Sequence, residues 1–522
     1  MVDIVDILGK FGTYHALTVF LVVLRAFPTA WTNMLTPMIA PDMGHWCARP
    51  PDPGWANLSA DEWKSLAIPV AEDGSFAKCE MFLVSAENGT LSVNRNVTTK
   101  CERWEYDTSV YENTIVNAWD LVCSRSWHRS MAQSVVMAGA LMGVLGFGEM
   151  SDCFGRKPTF FTCVLLVVTF GSLSSLAPGV IWYNAGRFLL AAGIAGCQAT
   201  TVSLCKLMEI MPPKFRMMMN VGFGIGYTIP LLLLPLLAYY LSSWSYLQLA
   251  TGLSALMMVP FWFILQESPR WLMTKGRLES AESSIVKILK INRRPIPDMD
   301  QVMNELVLHS KAASKQNKFM FIDFFRTPKM RRNTCALFCI WAMNSAVYYN
   351  VVLSATNVPG NPYLNYAISS SIEIPAALLG LFVAIRWSRR KSQAIFFALG
   401  SLSVLPMAFL STDSMPWLSI SSNVLLRFFI LSAVFIQWIM VLEVFPTTAR
   451  SFGFACCLTC SRCGAMLAPF LRDLGEATNP VVVPPLVLAA LCLLSAGLTL
   501  LLPETLNKPL PDTFLEAENI SR

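Results

Sequence analysis

Residues 442–450 read LEVFPTTAR, and residues 208–216 read MEIMPPKFR. Each stretch follows a long apolar run. Each places a proline three positions and an arginine seven positions after a glutamate: Glu443, Pro446 and Arg450 in one, Glu209, Pro212 and Arg216 in the other. The offset is 234 residues (443 − 209), close to half of a 522-residue chain. Two further stretches keep nearly the same spacing, LQESPRWL with Glu267 and LLPETLNK with Glu504, 237 residues apart. A third pair is degraded. GEMSDCFGRKP carries Gly148, Asp152, Gly155, Arg156 and Lys157, whereas RWSRRKS carries Arg389, Arg390 and Lys391 but has Arg386 in place of the aspartate. Charged punctuation repeated at half the chain length predicts an internal duplication.

Composition says what is duplicated. The chain is 54% hydrophobic and 14% charged, against roughly 25% charged for ordinary soluble domains. Apolar runs of about 20 residues, enough to cross a hydrocarbon core of ~30 Å as helix, recur twelve times. They lie near 14–37, 130–150, 159–177, 182–207, 218–240, 246–265, 333–354, 364–385, 393–411, 416–442, 451–471 and 480–502. The expected fold is an all-α membrane protein of twelve transmembrane helices in two six-helix bundles. Because six is even, the bundles enter the membrane from the same side, so the repeat is parallel. Expected units are residues 1–266, a linker over 267–332 with amphipathic helices, a second bundle over 333–503 and a tail over 504–522.

Charge sets the expected orientation. The short connections DCFGRK, PPKFR and RWSRRK are basic, while SSLAPG and LSSWSY carry no charge; basic short loops stay in the cytoplasm. The linker agrees, with 14 Lys and Arg against 7 Asp and Glu. Both termini are therefore expected in the cytoplasm, and the net charge of +6 needs no nucleic-acid partner. The start MVDIVDILGKFGTYH lacks signal-peptide character, so the first span is expected to be its own anchor.

Residues 41–129 invert the pattern, with 8 basic and 13 acidic residues, and are expected outside. Three glycosylation sequons cluster there, at Asn57, Asn88 and Asn96. The loop also holds Cys47, Cys79, Cys101 and Cys123, an even set that predicts two disulfides with three pairings open. The other cysteines lie in or beside apolar spans as small buried hydrophobes. Cys456, Cys457, Cys460 and Cys463 share one helix without neighbouring histidines, so no metal site and no cofactor are expected.

Ionisable groups within a bilayer are costly and so mark function. Arg462 lies mid-span in CLTCSRCGAMLAPF, Glu373 opens the eighth span, Arg187 begins the fourth and Arg25 lies within the first. An arginine at 462 could hold a carboxylate or sulfonate by two parallel hydrogen bonds. Trp341 and Tyr348, seven residues apart, share a helix face, and Tyr349 adjoins them; their rings suit an aromatic or alkyl substrate. Arg187 reads as helix packing. Asp152, Gly155, Arg156, Lys157, Glu209, Arg216, Glu267, Arg390, Glu443, Arg450 and Glu504 form the expected cytoplasmic gate, a set of ion pairs between bundles that breaks in one state and forms in the other.

The large cysteine-bearing loop, WDLVC, GEMSDCFGRK, ESPRWL, IEIPAALLG and LLPETLNKPLPDT together resemble the organic ion transporter family of the major facilitator superfamily, across essentially the whole chain. The resemblance implies a plasma-membrane carrier that moves a small organic ion through the lipid bilayer by alternating access. It also implies that Tyr227, in GIGYTIP, lines the cavity. Anion and carnitine-type members carry arginine where this chain has Arg462. Glu373 matches an acid that cation members use, and Ala377 stands where anion members often place lysine. An anion, or a zwitterion held at both ends, is favoured over a simple cation. Cys153, and the aspartate and glycine missing from RWSRRKS, depart from the family pattern. A receptor of seven spans explains neither twelve spans nor a parallel repeat, and no channel reading is favoured. No nucleophile with a base and no His-x-x-x-His pair among the 4 histidines supports an enzyme.

Overall fold

In hydrocarbon a backbone amide finds no water, so a chain this apolar must satisfy its amides within helices. The computed structural model does so. It describes residues 12–50, 55, 58–70, 74, 76–87, 90–205, 213–300, 302–303, 306, 321–409, 415–447, 449–477, 482–508, 511 and 513–520. Asn57, Asn88 and Glu209 lie outside the described residues, and of Arg216 only the helical backbone is described.

The spans of the first half are α1 (Thr13–Met34), α2 (Trp127–Phe154), α3 (Arg156–Ser175), α4 (Val180–Cys205), α5 (Pro213–Tyr240) and α6 (Trp244–Ile264). Those of the second are α7 (Pro328–Ser354), α8 (Pro362–Arg386), α9 (Arg389–Phe409), α10 (Pro416–Val444), α11 (Arg450–Ala477) and α12 (Val483–Leu500). Among the described residues eleven of these are long and apolar enough to cross a membrane, and α5 adds a shorter apolar stretch, Gly226–Tyr240. Side chains such as Phe263, 84% exposed, and Ile181, 78% exposed, face outward where lipid would lie.

The duplication reappears in the packing. A Cβ on Gly143 of α2 would stand 2.3 Å from the Ala192 carbonyl of α4; one on Gly380 of α8 would stand 2.7 Å from the Ser432 carbonyl of α10. Glycine lets the second and fourth helices of each half touch backbone to backbone.

Each half has its own core. Leu21, Phe160, Val164, Leu190, Ile194 and Met258 pack in the first, and Leu337, Ile340, Phe397, Ile430, Met440 and Cys492 in the second. A third cluster joins the halves, setting Trp31, Met137 and Leu231 with Tyr349, Tyr366 and Ala465. It also takes in Tyr111, Ile115 and Val122 from the large loop. The halves therefore pack together at the loop face. Ser130 Oγ donates to Asp473 Oδ1 at 2.7 Å, and Ser134 Oγ to the Met466 carbonyl at 2.6 Å, across that seam.

Among the described residues, strands occur only in the loop. β1 (His45–Cys47) pairs antiparallel with β4 (Trp104–Tyr106), and β2 (Glu80–Glu87) with β3 (Thr90–Lys100), where Asn96 is exposed. Disulfides Cys47–Cys101 and Cys79–Cys123 select one of the three open pairings. A small core of Trp55, Trp63, Ala67 and Ile68 supports them. At the other face the linker helices Pro269–Thr274 and Leu278–Ile291 pack on Tyr14 of α1. Asn292 Oδ1 accepts the Tyr14 amide at 2.8 Å, satisfying one free donor at the start of α1.

The loop core is small, so its cross-links carry much of its stability. Replacing Cys79 and Cys123 together by serine is expected to cost the loop about 2–5 kcal/mol. Faster limited proteolysis between residues 41 and 129, with the membrane spans intact, is the expected readout.

Candidate functional site

The central polar group begins with a broken helix. Pro375 has no N–H to return to residue 371, and α8 is interrupted at Ile372, giving segments Pro362–Ser371 and Glu373–Arg386. Glu373 thus opens a helical segment in mid-membrane, where the positive end of the dipole favours a carboxylate. It is 6% exposed. Its Oε1 accepts from Arg427 Nη2 at 2.5 Å and from the Tyr348 hydroxyl at 3.0 Å, and its Oε2 from Thr228 Oγ1 at 3.3 Å. Arg427, on α10 and fully buried, also donates from Nη1 to Ser369 Oγ at 2.9 Å.

Arg462 has different company. Half-buried on α11, it donates to the Tyr349 hydroxyl at 3.3 Å and contacts Met137 Sδ of α2 at 3.8 Å. Among the described residues no carboxylate pairs with it. Tyr348 and Tyr349 meet edge to face at 5.4 Å. Tyr227 of α5 lies beside the Asn33 side chain, in the neighbourhood of Tyr349, Glu373 and Arg462. On the loop side of this group a cavity of about 370 Å³ runs between the halves, with Gln133, Asn350, Ser354 and Asn423 in its wall.

Five of the six cavity residues expected from sequence therefore converge: Arg462, Glu373, Tyr348, Tyr349 and Tyr227. Trp341 does not join them. It lies two turns from Tyr348 among Trp438 and Phe454, each ring 6.0 Å away, in the core of the second half. Arg427 was missed, although an arginine inside the apolar run LLRFF carries the same signal that drew attention to Arg462. Arg187 is fully buried and ties α4 to α1 through the Thr32 carbonyl at 2.9 Å, and to Thr36 Oγ1, just past the end of α1, at 3.2 Å, a packing role.

Among the described residues, the gate contacts that can be stated lie within each half. Glu267 accepts the backbone amides of Arg156 at 3.1 Å and Lys157 at 3.0 Å, capping α3 of its own half. Glu504 does the same for α9, accepting the amides of Arg389 at 3.0 Å and Arg390 at 3.3 Å, and the Ser388 hydroxyl. Gly155 makes the α2–α3 reversal alone at φ +110°; a Cβ there would meet Glu267 Oε2 at 2.9 Å. The second half lacks that glycine and turns on Trp387 and Ser388. Arg389 is therefore the counterpart of Arg156, one residue off the 234-residue register. Arg389, not Arg390, pairs with Glu443; the Arg390 guanidinium reaches the Leu502 carbonyl at 3.4 Å. The Asp152 carbonyl accepts Trp271 Nε1 at 3.1 Å, and Arg450 is the first residue of α11.

Comparisons with known proteins fit this geometry. The family described as "Sugar (and other) transporter" matches residues 84–513. The organic cation transporter protein of Drosophila melanogaster is 33% identical, covering 100% of this chain and 95% of that protein. The organic anion transporter 3 of Oryctolagus cuniculus is 30% identical, with 99% and 93% covered. A partially occluded inward-open structure of the xylose transporter XylE from E. coli aligns with a TM-score of 0.62 at 14% identity, covering 95% of this chain and 100% of that one, a likeness of fold alone.

Two outcomes follow from the charges. Arg427→Leu leaves Glu373 buried without its partner, and breaking a buried pair this way costs about 3–5 kcal/mol. Thermal unfolding of the purified protein should show that loss, and Arg427→Leu with Glu373→Leu should recover most of it. Burial pushes the Glu504 carboxyl up, but hydrogen bonds from Ser388 and from the Leu506, Arg389 and Arg390 amides outweigh it and hold the group below the ordinary carboxylate range. Its cap is in place at neutral pH and is lost as pH falls through that lowered value. Unfolding temperature measured below pH ~4.3, the usual glutamate value, should fall less steeply in Glu504→Gln.

Proposed function

Since the chain belongs to the organic ion transporter family of the major facilitator superfamily, we propose that it carries small organic anions across the plasma membrane by alternating access. The family consists of membrane transporters, not enzymes. The observation that carries the proposal is the imbalance of charge at the centre. Glu373 is neutralised by Arg427 at 2.5 Å, while among the described residues Arg462 meets a tyrosine hydroxyl and a thioether. The site keeps one positive charge, which a carboxylate or sulfonate would complete through paired hydrogen bonds. Tyr227, Tyr348 and Tyr349 offer ring faces and hydroxyls to the rest of the substrate.

A zwitterion is the second reading. It is favoured by one observation: Glu373 sits in the same group as Arg462, within reach of Tyr348 and Thr228, so a substrate ammonium competing with Arg427 would meet a carboxylate there. Relatives bearing both cation and anion names leave the sign of the charge to experiment. In this reading the basic short connections and both termini face the cytoplasm, and residues 41–129 face outside with Asn96 on an exposed strand. Opening at the cytoplasmic face alternates with parting of the shared core at the loop face.

Uptake by cells expressing the protein, measured for a dicarboxylate, urate, carnitine and a quaternary ammonium, tests the proposal. Uptake of the anions is expected, and Arg462→Ala should lower it roughly ten- to hundredfold, the loss expected for a charged hydrogen bond of ~1.5–3 kcal/mol, with surface expression retained. Selective uptake of the quaternary ammonium, unaffected by Arg462→Ala, would overturn it.

A further inference from the structure

In the large loop a base stands against a bond that it can help to open. Cys79, just before β2, is joined to Cys123, in the turn that leads into α2. His45 of β1 lies beside that bond. Its Nε2 is 3.9 Å from Cys123 Sγ, and a ring nitrogen and the two sulfurs all lie within 4.8 Å of one another. His45 Nδ1 is 2.9 Å from the Met43 carbonyl. A carbonyl only accepts, so Nδ1 carries the hydrogen and Nε2, nearest the sulfur, keeps the lone pair of a neutral ring. Burial outweighs the hydrogen bond to Met43 and holds the imidazole below its ordinary value, which favours that neutral ring. The charged groups around it are Lys78, whose carbonyl is 3.5 Å from Cys123 Sγ, and Asp42, paired with Arg129 at 3.1 Å. Cys79 and Cys123 are half-buried, with Lys78, Glu80 and Ser124 exposed on either side. The other cross-link is sealed: Cys47 is 0% and Cys101 9% exposed, and the Trp63 indole N–H donates to the Cys47 carbonyl at 2.8 Å.

We propose that Cys79–Cys123 is an exchangeable cross-link, opened by small extracellular thiols with His45 carrying the proton, while Cys47–Cys101 is permanent. The incoming thiol, R–SH, gives its proton to His45 Nε2 and its sulfur bonds to Cys79 Sγ. The bond between Cys79 and Cys123 breaks, and Cys123 Sγ leaves with the bonding pair and receives that proton. Cys79 is then a mixed disulfide with R, and the Cys123 thiol donates to His45 Nε2. In the reverse step His45 takes the proton back, and the Cys123 thiolate, the nucleophilic form of the sulfur, attacks Cys79 and expels the thiol. A second R–SH frees Cys79 and leaves as R–S–S–R, so two thiols are oxidised as the cross-link is reduced. Opening the bond releases the β2–β3 hairpin from the turn before α2, the helix whose Ser130 and Ser134 cross the seam between the halves. External thiols would thus set how firmly the loop is tied to that seam. The chemistry rests on the loop geometry alone; the extracellular source of the thiol rests on the placement proposed above.

A timed pulse of reduced glutathione on the purified full-length protein at neutral pH, followed by N-ethylmaleimide and peptide mass spectrometry, tests it. Glutathione on Cys79 with N-ethylmaleimide on Cys123 should appear about tenfold sooner than any label on Cys47 or Cys101, because access governs exchange. Only a few per cent of an ordinary thiol is ionised at neutral pH, so a base that takes its proton raises the rate about tenfold. His45→Ala should slow opening by that factor, and imidazole added to the buffer should restore it. Simultaneous opening of the two cross-links, glutathione on Cys123 with Cys79 alkylated, or an unchanged rate in His45→Ala each overturns the proposal. A slowed rate that imidazole does not restore marks a merely structural histidine and overturns it too. The order of labelling in the unaltered protein requires no variant to fold. No transported substrate enters the measurement, so failure here leaves the reading of Arg462 untouched.

Discussion

The pair formed by Glu373 and Arg427 is the contact on which the centre of the molecule depends. A carboxylate in mid-membrane survives only if protein replaces the water it gave up. Here the replacement is complete: a guanidinium at 2.5 Å, a phenol, a threonine hydroxyl and the start of a helical segment. Those groups come from α5, α7, α8 and α10, so the one acid draws four helices and both halves together. It also decides what remains. With Glu373 satisfied internally, Arg462 has no carboxylate partner among the described residues, and the proposed preference for an anion follows from that remainder rather than from a count of ionisable residues.

A second constraint operates at the membrane edge, where the third helix of each half begins. The first amides of a helix have no partner within it. Glu267 and Glu504 satisfy them at α3 and α9, and the same solution appears with different turns, glycine in one half and tryptophan with serine in the other. The duplication has preserved the acid and its target while letting the connection drift.

This explains how far the sequence could be read. Twelve apolar runs, the parallel repeat and the even cysteine set of the loop follow from periodicity and charge, which act locally. Glu373 and Arg462 stood out because a charge in hydrocarbon is conspicuous. The partners were harder. Glu267 looked like half of an ion pair because its real partners are backbone amides, which every residue has. The pairing of Cys47 with Cys101 depends on β1 lying against β4, a register set by contacts far apart in the chain. Trp341 was placed with Tyr348 by helical spacing, but seven residues along a helix is about 10 Å, enough to move a ring from the polar centre into the core of its own bundle.

The large loop touches both halves through rings. Trp119 packs at a tilt against Trp244 and Tyr183 of the first half, at 5.0 and 5.5 Å, while Tyr111 meets Tyr363 of the second at 5.7 Å, also tilted. A domain stiffened by two cross-links thus spans the rim like a splint across a joint. Any separation of the halves on that side must part a tyrosine pair or the Trp119 ring contacts, at ~0.5–1.5 kcal/mol beyond lost area for each. Under the proposed alternating access, sequence changes in this loop, remote from the central charges, would therefore reset the resting occupancy of the two orientations.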